Sequence, residues 1–192
     1  MARSLLTNIV LASGSPRRSF LLKEIGTEHS ILKVDFEENI PNHVAPKEVA
    51  IYLSQSKARQ IPHLEDNTIY ITSDTIVLHD SNILGKPKNR SVAIETLLAL
   101  SNSIHQVITG VTLTSLNKSV SFDCVSTVHF KKLSLEEIEY YIDNFNPYDK
   151  AGSYGIQEWI GLIGVTKIEG SYFNIMGLPT HELKIQLDNF IS

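Results

Sequence analysis

The chain has 192 residues, of which 42% are hydrophobic and 20% charged, and its formal net charge is -4. A chain of this size can bury the core of one globular domain. Its negative charge argues against a general nucleic-acid surface, which needs an excess of basic residues. It has no apolar stretch of the roughly 20 residues that span a bilayer and no secretory signal pattern. We therefore predict a cytoplasmic protein with neither nucleic acid nor membrane as a partner.

Hydrophobic periodicity, turn residues and capping residues predict the elements in chain order. A capping box, Ser134 to Glu137, opens one of the helices. The segment 148–179 is rich in glycine and is predicted as loops shaped to hold a ligand. Strands are predicted at 9–11, 30–36, 68–78, 105–114 and 120–130, and helices after Pro16, after Pro46, at 92–100, after Ser134 and around 183–190. This mixed order predicts an α/β fold with a mixed, twisted central sheet flanked by helices.

The turn Ser13 to Arg18 has the composition of a phosphate-binding helix start. Ser15 has the type and position of an N-cap, and Pro16 suits the first helical position. Free backbone N–H groups and the positive end of the helix dipole would then lie beside Arg17 and Arg18. Two arginines oppose that dipole unless an anion offsets them, so we predict phosphate binding. The alternative is a solvated charged face.

Two charged residues interrupt apolar patterns. Lys57 continues the helical stripe of Val49 and Leu53, and Asp74 lies in the middle of a β-branched strand. Lys57 can lay its stem on the core and send its ammonium group to water, or it can serve a site. Asp74 can bond a neighbouring loop, or it can act chemically, because a carboxylate in an apolar strand is rarely left unpaired.

Cations and carboxylates occur here in the mixture that triphosphate enzymes use. Cations bind the non-bridging phosphate oxygens, while carboxylates hold Mg²⁺ and activate water. The cations are Arg17, Arg18, Lys57 and Lys86, and the carboxylates are Glu37, Glu38 and Asp74. The seven histidines have no credible metal-ligand spacing, and the single cysteine, Cys124, is predicted in the core, so any metal must be oxygen-bound.

Six segments occur in the order of a known family, at 11–18, 57–58, 74–77, 84–87, 150–157 and 170–179. Together they make the chain resemble the Maf family of nucleoside triphosphate pyrophosphatases along nearly its whole length. The resemblance implies a single domain over residues 1–192, with an inosine triphosphatase-like fold of two lobes and a cleft between them. Two departures stand out. Ser73 replaces a more frequent alanine, and Trp159 with Ile160 follows Gln157 where small residues are common. Trp159 either narrows the base pocket or belongs to the core, and we favour the core.

The resemblance implies cleavage of a nucleoside triphosphate between its α and β phosphates, with a divalent metal, Mg²⁺ or Mn²⁺. Carried over by position, Asp74 is the general base for the attacking water. Glu38 and Asp74 are assigned to the metal. The residues implied to hold the phosphate chain are Ser13, Arg17, Arg18, Lys57 and Lys86, and bidentate arginines and point-charge lysines suit this division.

The segment 152–157 resembles the dTTP and UTP branch of the family. Uracil and thymine present an N3–H donor between two carbonyl acceptors, which the amide of Gln157 can match. Our hypothesis is that Gln157 reads the pyrimidine, with Arg17 and Thr75 helping to set specificity. The alternative for Gln157 is a loop amide that caps local backbone.

Two other functions remain open. The sister branch acts on 7-methyl-GTP, and it predicts a carboxylate where Gln157 stands. A non-hydrolytic nucleotide-binding regulator of cell division would bind triphosphates without needing Asp74. The resemblance also suggests a house-cleaning role in removing non-standard nucleotides, and homodimers are common among relatives.

Overall fold

Seven β-strands form one mixed sheet in the computed structural model, which describes residues 7–192. The strand order is β2-β1-β3-β5-β6-β7, and β4 pairs with β3 off this path. The strands are β1 (Asn8–Leu11), β2 (Ser30–Ile31), β3 (Thr68–His79), β4 (Asn82–Leu84), β5 (Ile104–Thr114), β6 (Ser119–Phe130) and β7 (Val165–Glu169).

The pairing registers confirm that the sheet is mixed. β1 runs parallel to both its neighbours, with Val10 opposite Ser30 on β2 and opposite Tyr70 on β3. β4 is antiparallel to β3, and β7 is antiparallel to β6, where Val128 faces Ile168. The predicted α/β class with a mixed central sheet is therefore confirmed.

Among residues 7–192, five helices lie at the predicted places and two short ones lie where loops were predicted. They are α1 (Pro16–Glu24), α2 (Val49–Arg59), α3 (Arg90–Leu100), α4 (Leu135–Phe145), α5 (Trp159–Gly164), α6 (Tyr172–Met176) and α7 (Thr180–Ile191), with 3-10 turns at Pro46–Glu48, Pro147–Asp149 and Ala151–Ser153. The predicted capping box is present at α4, where Ser134 and Glu137 bond each other's backbone N–H. Among the helices of residues 7–192, none has the length and apolarity required to span a membrane.

The chain divides into two compact units, and β3, β5 and β6 each contribute a part to both. The first unit holds the described residues up to Asp74 together with 109–124 and 177–192, and it contains α1, α2 and α7. The second unit holds 75–108 and 125–176, with α3 to α6. The assignment of residues 1–192 to a single domain stays a prediction, and residues 1–6 of it lie outside the described part of the chain.

Each unit buries apolar side chains of its own. In the first unit, Ala12, Ile61 and Tyr70 form a buried cluster with half-buried neighbours from β1 and the loop after β2. In the second, α3 and α4 pack with β6 and α5 around the fully buried Leu97, Val128, Tyr141 and Ile160. The side chain of Trp159 is partly buried against this second cluster, and its ring lies edge-to-face on Tyr140 at 4.8 Å. Trp159 therefore packs against the core of its unit.

Three sequence predictions need correction. The strand predicted at 30–36 ends at Ile31, because β1 ends at Leu11 and offers few backbone groups beyond the bond from Leu32 N–H to Leu11 O. The segment 148–179 is not all loop, since it contains α5, β7 and α6, whose apolar residues pack on the second unit's core. Cys124 is half-buried rather than in the core, and burial raises the pKa of its thiol to about 11.

Candidate active site

The loop from β1 into α1 has the predicted course. Ser15 occupies the N-cap position and Pro16 the first helical position, but the Ser15 side chain makes no capping hydrogen bond. The side chain that bonds the loop backbone is that of Ser13, whose hydroxyl accepts from the Ser15 backbone N–H at 3.2 Å. The loop is therefore held by the residue predicted to bind phosphate.

Arg18 joins three separate segments of the first unit. Its Nη1 donates to Ser13 Oγ at 3.2 Å and to the Ser73 carbonyl oxygen at 2.8 Å, and its Nε donates to the Gly177 carbonyl oxygen at 2.9 Å. Burial lowers the pKa of the guanidinium, which Asp74 and Glu38 partly oppose by their negative charge, while the charge of Arg17 lowers it further. An arginine stays protonated under such conditions, so a positive charge lies beside these two carboxylates.

Lys57 connects the two carboxylates to which the resemblance gives roles in catalysis and metal binding. Its Nζ lies 2.5 Å from Asp74 Oδ1 and 2.7 Å from Glu38 Oε1. The Lys57 side chain is only 10% exposed, against 15% for Asp74 and 53% for Glu38. The alternative in which the Lys57 ammonium group extends into water is therefore wrong. Asp74 forms an ion pair with Lys57 instead of only bonding a neighbouring loop.

Buried hydroxyl groups position α2, the helix that carries Lys57. The Ser54 hydroxyl donates to the Ile51 carbonyl oxygen and lies 2.9 Å from the hydroxyl of Thr112 on β5. The Thr72 hydroxyl on β3 donates to the Ser54 carbonyl oxygen at 2.8 Å. These bonds tie the middle of α2 to two strands, so Lys57, one turn further on, meets Asp74 two residues beyond Thr72.

The close approach of α2 to β5 depends on a glycine. A Cβ atom at Gly110 would lie 2.4 Å from the carbonyl carbon of Ala50 and equally close to the backbone N of Ile51. Contacts this short do not occur, so any side chain at Gly110 would push α2 outward. Sequence analysis missed this residue, because a glycine inside a strand signals a close approach without showing what approaches.

The carboxylate pair provides oxygen ligands of the kind that Mg²⁺ takes. Within residues 7–192, no group of three or more His, Cys, Asp or Glu side chains is arranged to hold a metal ion. Glu38 and Asp74 nevertheless share one ammonium group, so their oxygens lie close together. Magnesium in nucleotide enzymes is commonly bound by one or two carboxylates, with substrate phosphates and water completing the shell. The donor set therefore fits a metal that arrives with a nucleotide.

Three further predicted residues belong to the second unit. Thr75, the first residue of that unit, is half-buried next to Asp74 in the chain. Lys86 is exposed between β4 and the buried Pro87, and a bond from Gly152 N–H to Gly85 O at 3.2 Å ties its segment to the glycine-rich loop. Gln157 is half-buried in a turn closed by a hydrogen bond from Glu158 N–H to Gly155 O at 3.0 Å.

A buried polar network that sequence analysis missed surrounds the Gln157 turn. The Tyr141 hydroxyl donates to Glu158 Oε2 and accepts from Gly155 N–H at 3.0 Å. Lys150 Nζ lies 3.0 Å from Glu158 Oε1 and 2.7 Å from Asp149 Oδ1. Burial and the Glu158 carboxylate raise the pKa of Tyr141, so the phenol keeps its proton. Sequence analysis gave no signal for this network, because Tyr141 and Glu158 lie 17 positions apart in the chain.

Comparisons with known proteins agree with this fold. A HAM1 protein from Coxiella burnetii has a similar fold, with a TM-score of 0.50, 15% identity, and coverage of 95% of this chain and 98% of that one. The fold of this chain is therefore an α/β fold similar to that of the HAM1 protein. The model of the family described as Maf-like protein matches residues 8–190, and the chain belongs to the Maf family.

Several curated relatives of this chain carry the same functional name. It is 47% identical over 184 residues to a dTTP/UTP pyrophosphatase of Parabacteroides distasonis, covering 95% of each chain. It is 46% identical to a dTTP/UTP pyrophosphatase of Christiangramia forsetii, again over 95% of each chain. A third relative of that name, from Flavobacterium johnsoniae, is 47% identical over 173 residues.

Proposed function

We propose that this protein hydrolyses dTTP and UTP to the nucleoside monophosphate and pyrophosphate. Membership of the Maf family and the shared name of relatives that match over nearly their whole length support this reaction. The same names argue against the 7-methyl-GTP branch and against a regulator that binds without hydrolysis. The structural observation that carries the proposal is the contact of Lys57 with both Asp74 and Glu38.

Asp74 is the proposed general base. Its carboxylate accepts a proton from water as the water oxygen bonds to the α-phosphorus, and the bond from that phosphorus to the bridging oxygen of pyrophosphate breaks. General bases of this type contribute about 10² to 10⁴ to a rate. The ion pair with Lys57 restricts the orientation of the carboxylate, and the low exposure of both side chains makes their electrostatic interaction stronger than it would be in water.

The cations have two proposed roles, which are phosphate binding and positioning of the loop before α1. We propose that Arg17, Lys57 and Lys86 bind non-bridging phosphate oxygens. Arg18 contributes its positive charge to the same phosphates while its bonds to Ser13, Ser73 and Gly177 hold the loop. The Ser13 hydroxyl accepts from Ser15 N–H and from Arg18 Nη1, so its O–H remains to donate to a phosphate oxygen.

Glu38 and Asp74 are the proposed ligands of a divalent metal, Mg²⁺ or Mn²⁺. When bound, such an ion neutralises charge on the phosphate chain as it develops. Lys57 lies where it can keep the two carboxylates together before the nucleotide arrives. The half-exposed Glu38 then has the freedom to turn from the ammonium group toward a new ligand.

Gln157 is the proposed reader of the pyrimidine, with Arg17 and Thr75 assisting. Its amide offers one acceptor and two donors, which match the N3–H and the carbonyl groups of uracil and thymine. We also propose that the protein is cytoplasmic and that neither nucleic acid nor a membrane is its partner. A homodimer is consistent with this function.

Purified protein with Mg²⁺ or Mn²⁺ and a panel of triphosphates tests the reaction. UTP and dTTP should give pyrophosphate rather than orthophosphate, and 7-methyl-GTP should be a poor substrate. Asp74→Asn should lower kcat by about 10² to 10⁴. Asp66→Asn, which changes an exposed carboxylate just before β3, is the matched control. Full hydrolysis by Asp74→Asn would contradict the assignment of the base.

A further inference from the structure

The turn that carries Gln157 is anchored at both ends on one buried phenol. Gly155 and Glu158 are the first and last residues of this four-residue turn, and a backbone hydrogen bond of 3.0 Å joins them. Gly155 N–H donates to Tyr141 Oη, and the Glu158 carboxylate accepts from the same hydroxyl. The Tyr141 hydroxyl therefore donates to the last residue of the turn and accepts from the first.

Lys150 completes this arrangement by neutralising the glutamate. Its side chain is 9% exposed and that of Glu158 is 19% exposed, so neither charge is well solvated. A buried carboxylate without a cation would be costly, and the 3.0 Å contact with Lys150 supplies the cation. Tyr141 itself has no exposed surface, and burial keeps its hydroxyl protonated. The network has one stable assignment of donors and acceptors.

The Glu158 side chain does not cap the helix that follows it. It occupies the N-cap position of α5, yet its carboxylate makes no capping bond to that helix. The carboxylate instead folds over Gly155, where a Cβ atom would lie 2.7 Å from Glu158 Cδ and 3.0 Å from Gln157 Nε2. The Gln157 amide and the Glu158 carboxylate are therefore packed against the same glycine.

We propose that Glu158, held by Tyr141 and Lys150, is a positioning residue that fixes the Gln157 amide for pyrimidine recognition. The inference rests on the proposed reading of the base by Gln157. A glutamine amide discriminates between bases only if its acceptor and donor ends are held in one orientation. The network supplies that restraint through a carboxylate at the residue next to Gln157.

The test compares UTP with CTP, because cytosine presents an amino donor where uracil presents a carbonyl acceptor. The measured quantity is the ratio of kcat/KM for UTP to kcat/KM for CTP. Tyr141→Phe and Glu158→Ala should each lower this ratio by about tenfold and should raise KM for UTP more than they lower kcat. Glu158→Gln should lie between wild type and Glu158→Ala, because its amide oxygen can still accept from Tyr141 but no longer pairs with Lys150 as a charge.

Two controls distinguish the effect of the Tyr141–Glu158–Lys150 network from that of Gln157 itself. Tyr140→Phe removes a hydroxyl from the neighbouring exposed tyrosine of α4 and should leave the ratio as in wild type. Gln157→Ala should lower the ratio by itself, and adding Tyr141→Phe to it should have little further effect, since both act on one contact. If Gln157→Ala lowers the ratio while the Tyr141 and Glu158 variants do not, the positioning role is refuted. If Gln157→Ala leaves the ratio unchanged, the proposed reading of the base fails and this inference falls with it.

A measurement independent of activity guards against misfolding. Hydrogen exchange of the Gly155 amide should be about tenfold faster in Tyr141→Phe than in wild type, because the acceptor of that N–H is lost. Exchange in α3 and α4 should stay protected, which would show an intact second unit. Unchanged exchange at Gly155 would overturn the anchoring on which the proposal depends.

Discussion

Lys57 Nζ lies 2.5 Å from Asp74 Oδ1, and the two side chains are 10% and 15% exposed. The two residues come from the third turn of α2 and the middle of β3, and the same ammonium group also reaches Glu38. The proposed base is therefore part of a small charged cluster rather than an isolated carboxylate.

Lys57→Met should destabilise the protein and abolish most of its activity. It leaves two carboxylates together without their shared cation, which should lower the free energy of unfolding by about 1–3 kcal/mol. Adding Asp74→Asn should restore much of the stability but none of the activity. Urea unfolding and pyrophosphate release, measured on the same samples, check both parts. If Lys57→Met were as stable as wild type, the ion pair would contribute nothing to the free energy of unfolding.

Arg18→Lys should be far from conservative. A lysine cannot reproduce the planar fork that reaches Ser13 Oγ and the carbonyl oxygens of Ser73 and Gly177. We expect a loss of about 2–3 kcal/mol in the free energy of unfolding, together with a lower kcat, because carbonyl groups in the interior lose their donors. Arg59→Lys, at an exposed position on α2, is the control and should change stability by less than about 0.5 kcal/mol.

Gly110→Ala should displace α2 from β5. The added Cβ would lie 2.4 Å from backbone atoms of Ala50 and Ile51, and backbone cannot give way as a side chain can. We expect a destabilisation of about 1–3 kcal/mol and a fall in kcat, since Lys57 moves with its helix. Gly85→Ala, whose Cβ would meet nothing within 4 Å, checks the stability cost of an alanine by itself. Equal melting temperatures for the two variants would contradict this account.

Ser73→Ala should stabilise the protein. The Ser73 hydroxyl is buried and has no hydrogen-bond partner, although the backbone carbonyl of the same residue accepts from Arg18. Removing a buried unsatisfied hydroxyl should raise the free energy of unfolding by about 1 kcal/mol. Ser54→Ala is the matched contrast, because the Ser54 hydroxyl is equally buried but bonded, and its loss should destabilise. Thermal unfolding of both variants tests this, and a lower melting temperature for Ser73→Ala than for wild type would contradict the prediction.

Acid should weaken the fold through His105. This ring is buried, its Nε2 lies 2.8 Å from the Tyr154 hydroxyl, and burial lowers its pKa to about 3. The unfolded chain takes up a proton near pH 6.5 while the folded chain does not, so stability falls as the pH drops from about 6.5 toward 3. This one group should contribute about 1.4 kcal/mol per pH unit over that range. His105→Gln should show a shallower dependence in urea titrations, and an unchanged slope would contradict the assignment.

Much of the secondary structure and the family could be predicted from the sequence, because these depend on local patterns. The apolar run before Ser13 and the capping box at Ser134 depend on residues within a few positions of each other. Errors arose where local pattern and packing disagree. Residues 32–36 alternate like a strand but have little left to pair with, and the glycine-rich segment contains short elements that only the second unit's core stabilises.

The residue types of the candidate site were evident in the sequence, but their contacts were decided by the tertiary structure. An arginine on α1 bonds a carbonyl 159 positions away, and a lysine on an apolar stripe finds its carboxylate 17 positions further on. No periodicity encodes such distances, because they follow from how helices pack on strands. The anchoring of the Gln157 turn by Tyr141 and Glu158 has the same origin, since a side chain's partners are set by the packing that surrounds it.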